Sequence, residues 1–167
     1  PSARRLPVRR RPAEAAGELV ESGWLSDGFR DDEQSLTWRA RARAMVERYV
    51  DGLDPTDEPV GVERTLAART GRLALSGRVD RLDDRDGELV VVDYKTGRRP
   101  LTSDDARGSL ALALYAVAAG RTLRRPCRRV ELHHLPTGDV VAWEHTQESL
   151  ERQLGRSEAI ADEVVAA

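Results

Sequence analysis

The chain has 167 residues, of which 40% are hydrophobic and 34% charged, and its net charge is −2. This composition is typical of a globular protein long enough to bury a core, and it excludes a uniformly basic protein that coats nucleic acid. The single cysteine, Cys127, excludes an intrachain disulfide and an iron–sulfur cluster held by this chain alone.

No apolar stretch is long enough to cross a membrane, since the longest, residues 110–119, is about half a span. The arginine-rich start lacks the apolar segment of a secretory signal. We therefore expect no membrane association and a cytoplasmic location, where cysteines stay reduced. The sequence begins with Pro1 rather than Met, so we also expect a processed or truncated chain.

In chain order, the patterns predict two helices, three strands, a helix, two strands and a final helix. An arginine-rich lead is followed by a helical N-terminal part, then by a core in which a hairpin turn joins the second and third strands. Together they indicate a single α/β domain, with a central mixed β-sheet flanked by helices. The predicted ranges are lead 1–12, helices 13–22 and 31–50 (helical part 13–50), strands 60–69, 72–82 and 88–95, helix 104–119, strands 127–135 and 140–145, helix 147–165, and core 60–167.

Two short segments place charged side chains at the end of a hydrophobic strand. They read G-R-V-D-R-L at 77–82 and V-V-D-Y-K-T-G at 91–97. Side chains alternate along a strand, so Asp93 and Lys95 share one face. Asp80 joins them if it stands opposite Val91, which needs a two-residue turn at 85–86, or opposite Asp93, which needs a four-residue loop. A three-residue loop or a bulge would turn Asp80 to the other face.

The residue types point to phosphate chemistry with a metal ion. Two carboxylates favour a hard divalent cation such as Mg²⁺ or Mn²⁺, which activates water and neutralises a phosphate. Of the 27 basic residues only Lys95 is lysine, which suggests a task that the wide guanidinium of arginine would not perform. The alternative is an ordinary surface ion pair between Asp93 and Lys95.

These motifs, with the thirteen-residue spacing from Asp80 to Asp93 and the helix reading L-A-L-A-L-Y-A-V-A-A, resemble the RecB-type exonuclease branch of the PD-(D/E)XK nuclease superfamily. The resemblance is close over residues 60–119. It implies a restriction-endonuclease-like core, Asp80 and Asp93 as metal ligands with the backbone carbonyl of Tyr94, and Lys95 as the catalytic lysine. It also implies a site-facing role for Tyr115.

The sequence departs from the usual pattern of that family in two places. The family helix usually carries glutamine four residues before its tyrosine, where this chain has Ala111; Arg107, one turn earlier, is a candidate to reach the same region. Many relatives have a metal-binding histidine on an N-terminal helix, and no histidine precedes Glu63. Either that helix is missing from the chain, or Glu18 or Glu63 replaces the histidine as a ligand.

Several further charged or histidine side chains are candidate binding groups. Arg98 and Arg99 follow the motif directly and are candidates to hold DNA phosphates, and five arginines between 121 and 129 form a second cluster that is more often solvated. His133 and His134 point to opposite faces of a strand and do not suggest a metal site.

The prediction is a Mg²⁺- or Mn²⁺-dependent deoxyribonuclease with DNA as its partner, similar to RecB-family exonucleases and acting in DNA repair or recombination, with a helicase or another repair protein as a further partner. The alternatives are a catalytically silent nuclease-like module that binds DNA or protein in a helicase–nuclease assembly, and a purely structural α/β domain.

Overall fold

The computed structural model describes residues 12–54, 57–70 and 72–166. The chain divides into two compact units, one of residues 1–58 with 135–138 and the other of residues 59–134 with 139–167. Most of the predicted lead, residues 1–12, lies outside the described residues; Pro12 precedes the first helix. No described helix is both long and apolar enough to span a membrane.

The first unit is a pair of helices, α1 (Ala13–Ser22) and α2 (Asp32–Asp51). The side chain of Asp31 accepts a hydrogen bond from a backbone N–H of the first turn of α2 at 2.8 Å, which caps the helix. Arg43 links the two helices, because its guanidinium lies 2.7 Å from Glu21 and 2.8 Å from Glu47. Both helices begin close to where the sequence places them.

The second unit is a five-stranded sheet with helices. Its strands lie in the order β1-β2-β3-β4-β5, and all neighbours are antiparallel except β3 and β4, which are parallel. The predicted α/β fold with a mixed sheet is confirmed. The elements are β1 (Gly61–Arg69), β2 (Ala74–Arg85), β3 (Glu88–Lys95), α3 (Ser103–Gly108), α4 (Leu110–Leu123), β4 (Cys127–His134), β5 (Asp139–Glu144) and α5 (Gln147–Ala166).

The parallel pairing of β3 with β4 requires a crossover, which α3 and α4 provide. The valine run of β3 is fully buried, as expected for a central strand. Alanine-rich α4 packs on the sheet, and Ala113, Ala116 and Ala119 are each at most 1% exposed. The small side chains bring the helix close to the strands. This core fixes the ends of β3 and β4 relative to one another.

The prediction of one continuous helix over residues 104–119 is wrong, because the structure has two helices there. Ser109 has an extended backbone and separates α3 from α4, and its side chain caps α4 by accepting from the N–H of Leu112 at 3.3 Å. A second cap begins α3, where Thr102 and Asp105 exchange hydrogen bonds. Two capping sequences in succession explain why one apolar pattern became two helices.

The turn between β2 and β3 is tighter than either predicted loop. Arg85 pairs with Glu88, so the turn consists of Asp86 and Gly87 alone, both with positive φ. This is the backbone of a two-residue type I′ hairpin. The predicted two-residue turn at 85–86 and the predicted four-residue loop are both wrong. The register is nevertheless that of the second alternative, with Leu82 opposite Val91 and Arg81 opposite Val92.

Candidate active site

Backbone pairing between β2 and β3 ends at Arg81 and Val92, and the next position in the same register sets Asp80 opposite Asp93. Beyond that point a side chain replaces the backbone as the hydrogen-bond partner of β3. Oδ2 of Asp80 accepts a hydrogen bond from the backbone N–H of Tyr94 at 2.9 Å. The Asp80 carboxylate therefore lies against the end of β3, at the peptide that joins Asp93 to Tyr94.

The alternation of side chains in β2 is interrupted at Asp80. Val79 and Leu82 are both buried in the hydrophobic core although they are three residues apart, so the strand shifts its faces between them. β1 has a matching irregularity at Glu63, which has φ 49° and stands unpaired opposite Asp80, between the pairs Val62 with Arg81 and Arg64 with Val79. Three acidic residues therefore occupy one row across β1, β2 and β3.

Asp93 and Lys95 form an ion pair on one face of β3. The amine Nζ of Lys95 lies 2.5 Å from Oδ2 of Asp93, and the side chains are 45% and 22% exposed, respectively. Oδ2 is itself buried and has no hydrogen bond of good geometry among the described residues. A carboxylate oxygen that is withdrawn from water and contacted by an amine is suited to accept a cation.

The residues present fit a hard divalent cation. The described part of the chain contains no group of three or more His, Cys, Asp and Glu side chains arranged to hold a metal. Mg²⁺ is commonly bound through one or two carboxylates while it keeps several waters. Asp80 and Asp93 supply that number, and Glu63 is turned away, because its Oε2 lies 2.9 Å from Nε of Arg78.

A cleft of about 310 Å³ adjoins Lys95 at the carboxyl ends of β3 and β4. We call it the Lys95 cleft; its lining residues are Lys95, Gly97, Arg99, Leu101, Asp105, Ser109, Leu132 and His134. Crevices at the carboxyl ends of parallel strands are common ligand sites in α/β folds. The cleft therefore gives a substrate room directly beside the amine.

His134 is a residue of this site that the sequence did not single out. It stands beside Lys95 in the parallel pairing of β3 with β4 and is 2% exposed. Its Nε2 lies 2.7 Å from the carbonyl oxygen of Gly97 and holds the segment that follows the motif. The prediction that His133 and His134 face opposite sides agrees with the pairing, since His133 stands beside Tyr94. Only knowledge of the parallel partner would have revealed His134.

The two arginines after the motif differ in their surroundings. Arg99 donates to both oxygens of Asp105, at 2.6 and 3.2 Å. These bonds, followed by those from Thr102, hold the pKa of Asp105 well below its ordinary value. Arg98 is exposed. The segment from Lys95 to α3 is thus fastened at Gly97 and at Arg99.

Tyr115 and Arg107 lie apart from one another. The Tyr115 ring packs on Gly77 of β2, so closely that a Cβ at residue 77 would collide with it. Ala111, at the position of the family glutamine, is exposed and lines a small cavity with Tyr115. The Arg107 guanidinium lies 5.3 Å from the ring centre of Trp143. It belongs to α3, so the break at Ser109 separates it from the helix of Tyr115.

The opposite face of the sheet carries a buried charged network that the sequence did not indicate. Glu131, 1% exposed, is bound by Arg85 at 2.6 Å, Arg129 at 2.8 Å and His133 at 2.9 Å. Burial alone would raise the pKa of Glu131, but these three partners outweigh it and lower the pKa well below its ordinary value. The network stabilises the sheet behind the candidate site.

Comparison with known proteins agrees with the geometry. A sequence profile of the PD-(D/E)XK nuclease superfamily matches residues 3–164. No curated protein matches the chain. Members of this superfamily are nucleases, which act on phosphodiester bonds of nucleic acid and generally use divalent metals. The match covers nearly the whole chain, and the chain therefore belongs to the PD-(D/E)XK nuclease superfamily.

Proposed function

We propose that this chain is a Mg²⁺- or Mn²⁺-dependent deoxyribonuclease whose site consists of Asp80, Asp93 and Lys95. The observation that carries the proposal is the convergence of the three at the end of β3: Asp80 bonds the N–H of Tyr94, and Lys95 contacts the buried oxygen of Asp93. Two acids and one amine at the ends of two neighbouring strands are what hydrolysis of a phosphodiester with a bound cation requires.

In this proposal Asp80, Asp93 and the backbone carbonyl of Tyr94 would hold the cation, which when bound would lower the pKa of a water and neutralise charge on the phosphate. Lys95 orients the attacking water and stabilises the negative charge that develops on the phosphoryl oxygens. The attacking water releases one proton to solvent as its oxygen forms a bond to phosphorus, the bond from phosphorus to the leaving oxygen breaks, and the leaving oxygen receives a proton from solvent. Arg98, Arg99 and Tyr115 position the DNA strand.

We further propose that the chain is one nuclease domain of the RecB-type exonuclease branch, acting in DNA repair or recombination beside a helicase or another repair protein. The motif spacing from Asp80 to Asp93 and the helix of Tyr115 support this assignment. Glu63 stays a candidate third ligand only if it leaves Arg78, since that ion pair now turns it away.

The second candidate is a nuclease-like module that binds DNA or protein without cleaving it. Two observations favour it: Ala111 replaces the family glutamine, and the described part of the chain offers no cluster of three ligand side chains. It predicts no binding of Mg²⁺ or Mn²⁺ above background in calorimetry.

The test is cleavage of linear and circular DNA with Mg²⁺ or Mn²⁺ by the wild type, Asp93→Asn and Lys95→Ala. We expect the wild type to degrade the linear DNA, and both variants to lose activity while keeping their circular dichroism spectra. Arg72→Ala is the control, because Arg72 is exposed and pairs with Asp162. Cleavage by a well-folded Lys95→Ala variant at the wild-type rate would exclude the mechanism.

A further inference from the structure

A second polar cleft borders α3 and the beginning of α5. We call it the α3–α5 cleft; it has a volume of about 310 Å³ and is lined by Asp104, Arg107, Gly108, Ser149, Arg152 and Gln153. Three residues of α3 line it, and two of them, Asp104 and Gly108, directly precede Asp105 and Ser109, which line the Lys95 cleft. The two clefts are therefore bordered by neighbouring faces of one short helix.

The charges in this cleft favour an anion. Arg152 makes no hydrogen bond or ion pair with another described residue. Arg107 lies over the Trp143 ring, and its nearest approach to the Asp104 carboxylate is 3.8 Å, beyond a hydrogen bond. Asp104 is the only acidic residue of the lining and is 87% exposed. Two guanidinium groups thus line the cleft with N–H donors that are not used in hydrogen bonds to other described residues.

Ser149 adds a neutral donor. Its Oγ lies 2.9 Å from Nδ1 of His145, a side chain that is 2% exposed. Nε2 of His145 is buried without a partner among the described residues, and burial lowers the pKa of His145, which disfavours the charged ring. An unpaired buried N–H is costly. We therefore assign the proton to Nδ1, which donates to Ser149 and leaves the hydroxyl hydrogen free for the cleft.

We propose that the α3–α5 cleft binds a backbone phosphate of the DNA strand whose scissile phosphate lies at Asp80, Asp93 and Lys95, an inference that rests on the proposed nuclease function. Guanidinium and hydroxyl donors are common partners of DNA phosphates. Asp105 lines the Lys95 cleft and its neighbour Asp104 lines this one, so the bound phosphate belongs to the same DNA strand and lies a short distance from the one that is cleaved.

The first experiment measures DNA binding by fluorescence anisotropy over a range of salt concentrations, with Lys95→Ala in every protein so that no DNA is cleaved. Adding Arg152→Ala is expected to weaken binding roughly tenfold and to reduce the slope of log affinity against log salt by about 1. Arg152→Lys keeps the charge and recovers part of the affinity. Arg72→Ala is the matched control, because Arg72 is an exposed arginine that pairs with Asp162, ten residues after Arg152 in α5.

The second experiment measures cleavage with Lys95 restored. Arg152→Ala is expected to raise KM and leave kcat unchanged, because Arg152 does not touch the reacting atoms. Equal DNA binding with and without Arg152, or equal losses in Arg152→Ala and Arg72→Ala, would overturn the inference. So would Arg152-dependent binding of inorganic phosphate that DNA does not displace, which would indicate a site for a free anion. If the wild type cleaves DNA and Arg152→Ala matches it in KM, this inference fails while the nuclease function stands; if the wild type binds metal and DNA but cleaves nothing, the nuclease function fails.

Discussion

Replacing Lys95 with alanine is expected to tighten metal binding while it abolishes catalysis. The amine lies 2.5 Å from the Asp93 oxygen that we assign to the cation. A divalent ion bound to that oxygen at about 2.1 Å would stand about 4 Å from the amine, so the two positive charges repel. Lys95 therefore helps the transition state and opposes the resting metal complex.

The size of the effect follows from Coulomb's law. Lys95 is 45% exposed, so the dielectric constant of water applies, and two unit charges 4 Å apart interact by about 1 kcal/mol. A divalent ion is then opposed by about 2 kcal/mol, or roughly 30-fold in affinity. The burial of the Asp93 oxygen lowers the local dielectric constant and raises this repulsion, whereas movement of the lysine side chain away from the ion reduces it.

The assay is calorimetric titration of Mn²⁺ into the wild type, Lys95→Ala, Asp93→Asn and Arg72→Ala. We expect Lys95→Ala to bind more tightly, Asp93→Asn to lose binding, and Arg72→Ala, which removes an equal charge elsewhere, to match the wild type. Unchanged or weaker Mn²⁺ binding by folded Lys95→Ala would show that the amine does not compete for the Asp93 oxygen, and the reasoning would be refuted.

Three further predictions concern the scaffold. Gly77→Ala forces a Cβ into the Tyr115 ring and is expected to cost about 1–3 kcal/mol, seen as a lower Tm; Ser76→Ala, on the exposed neighbour, should change little, and an unchanged Tm for Gly77→Ala would place Tyr115 elsewhere. The lowered pKa of Glu131 means that its contribution to stability is complete above about pH 4.3 and is lost as the pH falls towards the pKa of Glu131 in the folded protein. In urea unfolding at decreasing pH, the wild type should therefore lose free energy of unfolding more steeply than Glu131→Gln. Parallel curves for the two proteins would contradict the ion-pair network. Burial raises the pKa of Cys127 to about 12, so a thiol reagent at neutral pH should label the protein only after unfolding, and fast labelling of the native protein would show that this strand opens.

The sequence predicted those features that depend on neighbouring residues. The hydrophobic run of β3, the presence of a hairpin turn between β2 and β3 and the alternation that puts Asp93 and Lys95 on one face are local patterns, and all appear as expected. The resemblance to the PD-(D/E)XK nucleases also rested on short motifs, and the superfamily is confirmed.

The features that escaped prediction arise from partners far along the chain. His134 enters the site because β4 runs parallel to β3, and no pattern around residue 134 reveals which strand lies beside it. The position of Asp80 depends on shifts of side-chain alternation in β2 and at Glu63 of β1. The break at Ser109 was hidden because the apolar residues of α4 masked the cap.

The most direct test of the metal site is a crystal structure of the protein grown with Mn²⁺, with the ion located by its anomalous scattering. We predict one strong peak between the carboxylates of Asp80 and Asp93, within coordination distance of the Tyr94 carbonyl oxygen, with Lys95 displaced from Asp93. A peak bound by other residues, or no peak in crystals saturated with Mn²⁺, would contradict the assignment of these two acids as metal ligands.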